Sequence, residues 1–406
     1  MKILTVVFDL NKGGTQRSAQ VFAKGYKKLG HDSRIIALYG LGLRYDEIKN
    51  ELPVWNQLTE LNILQIQKWE PDILHIHSHG PKLQDIKNLV SMMPANCRKI
   101  ETNVFSLPSP WADLMDVSYQ LSRWAQWIFN LQGGNKYRSE IVPNPVDCSS
   151  FKKPEAEKIS NFQKKYNIPS NAFVIGRIGQ SYSGKWSTML IDIFNNLSEK
   201  IPNLYLLIVN PPDSIIQRSK TSKFSSKIIH IPKIIGDDNL CLTYSVMDIM
   251  VHIANQGESF GMIFTESILC ETPVIALSTP WADNSQHEVI GNGKGGFILH
   301  SQKKIEETIL KFFHKNKTLI LTNGRDHIIE NYDYVKVAQR AIDCSIESPI
   351  NKKTTRSNII NILKKSEDKP KYLTIFFLLF NSNKLRKLTV FSSNYLNLRE
   401  YKKMIR

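Results

Sequence analysis

Short apolar runs alternate with helix-length amphipathic segments through most of the chain, the arrangement expected of parallel strands crossed over by helices. In the first half "KILTVVF", "SRIIAL", "DILHIH" and "KIETNV" read as strands. Between the first two, "TQRSAQVFAKGYKKLG" has apolar residues at helical spacing and runs up to Gly30, a glycine placed to end a helix. The second half repeats the scheme with "AFVIGRIG", "LYLLIVN", "KIIHIP", "IMVHIA", "PVIAL" and "GGFIL". Two Rossmann-like units in tandem are therefore expected, over residues 1–150 and 151–330. The alternation breaks at "VPNPVDCSSFKKPEAEKIS", residues 142–160, where prolines and a polar stretch predict a linker. "ENYDYVKVAQRAIDCSIES", residues 330–348, predicts one more helix closing the body. In such a chain a ligand belongs outside the carboxyl ends of the strands, in a cleft between the two units.

Composition agrees with this division. A chain of 406 residues with 42% hydrophobic content is long for one domain and suits two. No heptad or Gly-x-y regularity suggests a fibre or repeat array. The five cysteines, Cys97, Cys148, Cys241, Cys270 and Cys344, are odd in number and form no Cys-x-x-Cys pair. That points away from a disulfide framework or a zinc site and towards a reducing compartment. The opening apolar run is too short for a secretory leader and is followed by Asp9 and Asn11, so it reads as a buried first strand. The longest apolar stretch, "YLTIFFLLF" at 372–380, is about half of a bilayer-spanning helix.

Charge adds one asymmetry. The chain carries a net +16, and residues 351–406 hold 14 Lys and Arg against three Asp and Glu, a net +11 from this segment alone. The basic tail, 349–406, has no finger, basic-zipper or RNA-recognition signature, and no nucleic-acid partner is expected. With Phe and Leu beside the charges it fits an anionic membrane surface. A solvated extension is the alternative reading.

The densest chemistry lies in "GESFGMIFTESILCETPVIAL", residues 257–277. Here "IMVHIA" predicts a strand, "NQGESFG" a loop carrying Glu258, and "MIFTESILCE" a helix carrying Glu266. Unpaired amides and the dipole at the start of that helix favour a phosphate. Gly257 and Gly261 allow close backbone approach, and a loop carboxylate accepts hydrogen bonds from the hydroxyls of a polyol. Glutamates near helix starts also simply complement the dipole, which is the alternative for this stretch.

"GESFGMIFTE", with seven residues between its glutamates, resembles the Glu-x7-Glu motif of the family 4 retaining glycosyltransferases. The resemblance extends through residues 248–299 and more weakly over about 1–345, leaving the tail uncovered. It implies the GT-B fold, two Rossmann-like domains facing each other, with the acceptor on the N-terminal side and a nucleotide-sugar donor on the C-terminal side. It further implies that Glu258 contacts the donor sugar, that Glu266 contacts the ribose, and that Ser259, Phe260 and Gly261 line the donor.

Three more segments bear on the same reading. In "GRIGQSYSGKW", Arg177 and Lys185 flank a small polar loop, and two fixed cations there would neutralise a leaving diphosphate. The pair resembles the family's diphosphate clamp, although the loop is about three residues longer than usual and Trp186 stands where a glycine is customary. "PDILHIHSHG" places His75, His77 and His79 at alternating positions, which predicts one shared face. A metal reading lacks further ligands at suitable spacing. The Asp72, His75, His77 spacing resembles a family strand end whose second histidine lies near the reacting sugar, so His77 is the implied residue, with His79 as competitor and a core histidine as the plain alternative. "NKGGTQRSA" resembles the family's Gly-Gly-x-Glu-Arg turn, with Gly13, Gly14 and Arg17 matching and Gln16 replacing the glutamate, which implies that Gly14 is a donor-binding residue. The Gly-x-Gly-x-x-Gly dinucleotide fingerprint is missing there, against a nicotinamide or flavin enzyme.

The expectation is a metal-independent, retaining, hexosyltransferase-type enzyme with no cofactor. It would move sugar from a nucleotide-sugar donor to a glycan or lipid-linked acceptor in cell-surface polysaccharide or glycolipid assembly, in the cytoplasm or peripherally on the inner membrane face. "YQLSRWAQWIFNL", 119–131, is either an interfacial or a core helix. A GT-B nucleotide-sugar epimerase and a non-catalytic glycan- or membrane-binding relative are the rival functions. The presence of all five of His77, Arg177, Lys185, Glu258 and Glu266 weighs against the second rival.

Overall fold

The structure is a computed structural model that describes residues 1–77, 79–280, 282–315, 323–347 and 354–364. The chain divides into two compact units, Met1–Asp147 with Ile329–Ile359, and the stretch beginning at Cys148 and running to Ile328.

The first unit holds seven parallel strands: β1 (Lys2–Val7), β2 (Asp32–Ala37), β3 (Val54–Asn56), β4 (Ile73–His77), β5 (Arg98–Asn103), β6 (Val117–Gln120) and β7 (Ser139–Ile141). Their order across the sheet is β3-β2-β1-β4-β5-β6-β7. The second unit holds six: β8 (Phe173–Ile178), β9 (Leu204–Val209), β10 (Ile228–Ile231), β11 (Ile249–His252), β12 (Val274–Leu277) and β13 (Gly296–Leu299), in the order β10-β9-β8-β11-β12-β13. β4, β8, β11, β12 and β13 are buried at every position, as expected of parallel strands covered on both faces, and β12 and β13 accordingly carry no polar side chain. In each sheet the order reverses once, between β1 and β4 and between β8 and β11. Side chains at the carboxyl ends of those four strands flank the two places where an open parallel sheet leaves a crevice.

The helix after β1, Gly14–Lys28, ends where the sequence indicates. Gly30 has φ 85°, and the amides of Gly30 and His31 bond back to Lys27 and Tyr26. The segment 330–348 is not one helix but parts of two, Gly324–Tyr332 and Tyr334–Ile346. Asp333 separates them in an extended conformation, φ −53° and ψ 132°, and its carboxylate accepts the Val335 amide at 3.1 Å. Beside the break, Val146 exchanges backbone hydrogen bonds with Tyr332 and Tyr334 at 2.8 and 3.0 Å. The second helix thereby returns to the first unit, where Val337, Ala338, Ala341 and Ile342 pack with Phe22, Tyr26, Ile100 and Tyr119.

The aromatic stretch 119–131 is the end of β6 followed by the helix Arg123–Leu131, capped by the Ser122 hydroxyl at 2.9 Å from the Ala125 amide. Trp124, Trp127 and Phe129 are all buried, so this is a core helix and not an interfacial one. From the basic extension, Thr354 donates to the Gln126 side chain of that helix through its amide at 3.0 Å and its hydroxyl at 2.6 Å, and the helix Arg356–Lys364 follows. Residues 365–406, including the apolar run 372–380, lie outside the described residues. Among the described residues no helix is long and apolar enough to cross a membrane.

Candidate active site

At the crevice of the second unit, β8 runs into the loop 179–188 and β11 into the loop 253–261, and three polar side chains converge. The Lys185 ammonium donates to Glu258 Oε2 at 2.6 Å and to the Gly257 carbonyl at 3.2 Å. Glu258 Oε1 lies 3.0 Å from His252 Nε2, and because a carboxylate only accepts, Nε2 carries the proton. His252 Nδ1 is buried without a partner, and the ring sits edge-on to Phe264 at 4.7 Å between centroids. Burial pushes the Glu258 carboxyl up, but the Lys185 charge and the His252 hydrogen bond outweigh it and hold it at about 2. Burial, aided by the nearby Arg177 charge, pulls His252 down to about 4 against the pull of Glu258. At neutral pH the cluster is thus a carboxylate held by an ammonium on one oxygen and a neutral imidazole on the other.

The loop bearing Glu258 depends on a glycine. Gly257 has φ 66°, and a Cβ there would fall 1.9 Å from the Asp283 carbonyl oxygen and 2.2 Å from Thr279 Oγ1. The loop after β12 therefore packs directly on it, and the Ser285 amide bonds the Glu258 carbonyl at 3.2 Å. This brings in Asp283, whose carboxyl burial raises to about 6, with Lys185 opposing and Glu258 adding to the rise. Ser259, Phe260 and Gly261 follow Glu258 in the chain, Phe260 buried and Gly261 forming the N-cap of the helix Met262–Leu269 with φ 87°. That helix start has no side-chain cap and no acidic residue in its first turn. Glu266, in the second turn, is buried and accepts from the Tyr244 hydroxyl at 2.8 Å.

Arg177, expected as one of two cations flanking the loop, is enclosed beneath it. Its side chain is wholly buried, donates to the Ile178 and Lys185 carbonyls, the latter at 2.7 Å, and lies over the Trp186 ring at 5.0 Å. Burial lowers it to about 10, which leaves it charged at neutral pH. The cause is Trp186, which is itself buried, anchors to the Gln180 carbonyl at 2.9 Å, and closes the longer loop over the guanidinium. Arg177 is an internal strut for the backbone from which Lys185 projects.

In the first unit, Gly14 and His77 lie at the other crevice. Gly14 begins the helix after β1, with open space where a Cβ would stand, and Gln16 donates to Asp9 at 2.8 Å. The three histidines do not share one row. His75 and His77 do, with ring centroids 4.7 Å apart, but the chain turns after β4, where the His79 amide bonds the His77 carbonyl at 2.9 Å. His79 is exposed and rests against Phe105 at 5.1 Å. His75 is fixed in the core between Tyr26 and Thr102, each at 2.8 Å. His77 is fully buried with neither ring nitrogen bonded, and burial lowers it to about 3. Of the residues singled out in the sequence, the structure therefore brings Lys185 and Glu258 into direct contact, with Arg177 beneath them and Gly261 and Glu266 on the adjoining helix. His252, Tyr244 and Asp283 were missed. The signal for His252 was present as a lone polar residue ending an apolar strand six positions before Glu258.

Two doubly wound parallel units in tandem, each with its polar side chains at the point of strand-order reversal, define the GT-B class of glycosyltransferase fold. The fold matches the glycosyltransferase from Rickettsia africae with a TM-score of 0.70 at 20% identity, over 85% of this chain and 97% of that one. It also matches HepE of Anabaena in complex with UDP-glucose, TM-score 0.67 at 18% identity, over 85% and 99% of the two chains. Residues 158–332 match the family model described as Glycosyl transferases group 1. Among curated proteins, the trehalose synthase of Thermococcus litoralis is 22% identical over 242 residues, 55% of this chain and 58% of its own length. The D-inositol 3-phosphate glycosyltransferase of Corynebacterium urealyticum is 23% identical over 177 residues, 41% of each chain. The chain thus spans 58% of the first of these curated relatives and 41% of the second.

Proposed function

We propose that this protein is a retaining glycosyltransferase that moves a hexosyl group from a nucleotide-sugar donor to an acceptor hydroxyl without a divalent ion. The observation that carries the reading is the Lys185–Glu258–His252 cluster at the carboxyl edge of the second sheet, beside an uncapped helix start. Glu258, ionised and held at both oxygens, is suited to accept hydrogen bonds from sugar hydroxyls. Lys185, a quarter exposed and on a flexible stem, is suited to the leaving diphosphate, as is the start of the helix Met262–Leu269. Charge builds on the diphosphate as its bond to the sugar carbon breaks, and fixed positive partners lower the barrier most where that charge is greatest. The acceptor oxygen then bonds the same carbon, its proton passes to the departing diphosphate, and the nucleoside diphosphate leaves. Glu266, held by Tyr244, takes the ribose role that the motif implies, and by the same resemblance Gly14 takes a donor-binding role and His77 a catalytic one, with His79 as its competitor.

The acceptor is a glycan or a lipid-linked glycan in cell-surface polysaccharide or glycolipid assembly, met in the cytoplasm or at the inner membrane face through the basic extension. HepE, solved with UDP-glucose, supports a nucleotide sugar as the donor class. A thermal-shift screen of the purified chain against nucleotide sugars and free nucleoside diphosphates tests the donor, because a ligand that binds only the folded state raises its apparent stability. The expected result is a selective rise with one nucleotide sugar. No rise with any of them, in well-folded protein, would sink the reading in favour of a non-catalytic relative. Product analysis without acceptor then separates transfer from epimerisation, since only an epimerase changes the sugar alone.

A further inference from the structure

Glu258 is held from two sides by partners of different kinds. Lys185 reaches it from another loop on a four-carbon stem and is 25% exposed, so a diphosphate arriving at the crevice competes for the same ammonium. His252 is 1% exposed, is the last residue of β11, and is wedged against Phe264. Arg177, from beneath, holds the Lys185 carbonyl at 2.7 Å, so the ammonium is free to swing while its backbone stays in place. If the ammonium were the sole partner of Glu258, the donor's own diphosphate would release the carboxylate that is needed for the sugar.

We propose that His252 is a positioning residue that keeps the Glu258 carboxylate oriented towards the donor sugar once Lys185 turns from Glu258 to the diphosphate. The proposal deepens the donor-site reading above and rests on it. A neutral imidazole is the right chemistry for the task. It gives one hydrogen bond to Oε1, its other nitrogen is buried without a partner, and it carries no charge for the diphosphate to draw away. Oε2, vacated by Lys185, becomes the oxygen that meets a sugar hydroxyl. The resting ion pair is then a closed form of the site that opens by exchange of one ammonium, with the carboxylate held throughout.

The experiment compares the full chain with His252→Leu, His252→Gln and Lys185→Met by calorimetry, against UDP-, GDP- and ADP-linked sugars and the corresponding free diphosphates. Because His252 acts through a carboxylate that touches only the sugar, His252→Leu should bind the free diphosphate within about twofold of the wild type and the nucleotide sugar roughly tenfold or more weakly. His252→Gln, whose amide reaches the same oxygen, should recover most of that loss. Lys185→Met should weaken both ligands alike and leave their ratio unchanged, a result readable even if His252→Leu does not fold. The proposal is overturned if His252→Leu binds the nucleotide sugar as the wild type does, if it weakens both ligands equally with no recovery by glutamine, or if Lys185→Met abolishes the ratio. Wild-type protein that binds none of these ligands overturns the donor reading itself.

Discussion

Glu258 stays ionised because two neighbours, Lys185 and His252, outweigh the cost of its burial. Its folded pKa of about 2 lies below the ordinary carboxylate value of 4.5, so its share of stability is present above pH 4.5 and is lost only as pH falls towards 2. Glu258→Gln keeps the shape and removes the charge. Transfer activity is expected to fall on the order of 10²–10³-fold in a chain that still folds, with a melting temperature below that of the wild type because the stability contributed by the charge is lost. Full activity of this variant on a defined acceptor would contradict the role. The identity of this residue was legible in the sequence because two glutamates seven residues apart, with glycines at the turn, are a local pattern. The burial of Arg177 was not legible, since it depends on Trp186 folding back over the guanidinium, and side-chain packing leaves no periodic trace.

Elements were legible wherever their cause is local. Apolar runs bounded by turns located β1, β2, β4, β5 and β8 to β13, and Gly30 located a helix end, whereas the short strands β3, β6 and β7 carry no such run and were not read. The junction of the helices Gly324–Tyr332 and Tyr334–Ile346 was missed because its cause is remote: Val146, nearly two hundred residues earlier, pairs with the backbone on both sides of Asp333. The returning helix lies so close to the helix Gly14–Lys28 that a Cβ on Gly25 would stand 2.7 Å from the Ala338 Cβ and 2.8 Å from the Tyr334 carbonyl oxygen. Gly25→Val must push the two helices apart. It should destabilise the protein by about 1–3 kcal/mol, seen as a lower denaturant midpoint. A midpoint equal to the wild type would mean that the helices are not packed in this way.

At the scale of the molecule, His75, His77, His252 and His287, all buried, make stability depend on pH. Burial lowers His75 well below the ordinary value, His77 and His287 to about 3, and His252, with Arg177 adding, to about 4. Each binds its proton more readily when unfolded, so the stability it confers is whole above pH 6.5 and is lost as pH falls towards the folded values. Denaturant midpoints should therefore decline steadily from pH 6.5 downward, each histidine contributing up to about 1.4 kcal/mol per pH unit. A flat profile between pH 6.5 and 5 would show that these rings are not enclosed. Two of the four lie in each unit, so both should weaken together. By itself the amino-acid sequence determined the parallel α/β class, the two-unit plan, the Glu258–Glu266 spacing and the basic charge of residues 351–406, because each follows from period, composition or neighbours along the chain. Folding alone decided that Lys185 meets a carboxylate 73 residues away, that His252 holds its other oxygen, that His79 rather than His77 reaches the surface, and that the helix Tyr334–Ile346 completes the first core. Those contacts join segments distant in sequence, and their partners are chosen by the shape and charge of surfaces that exist only once the sheets have formed.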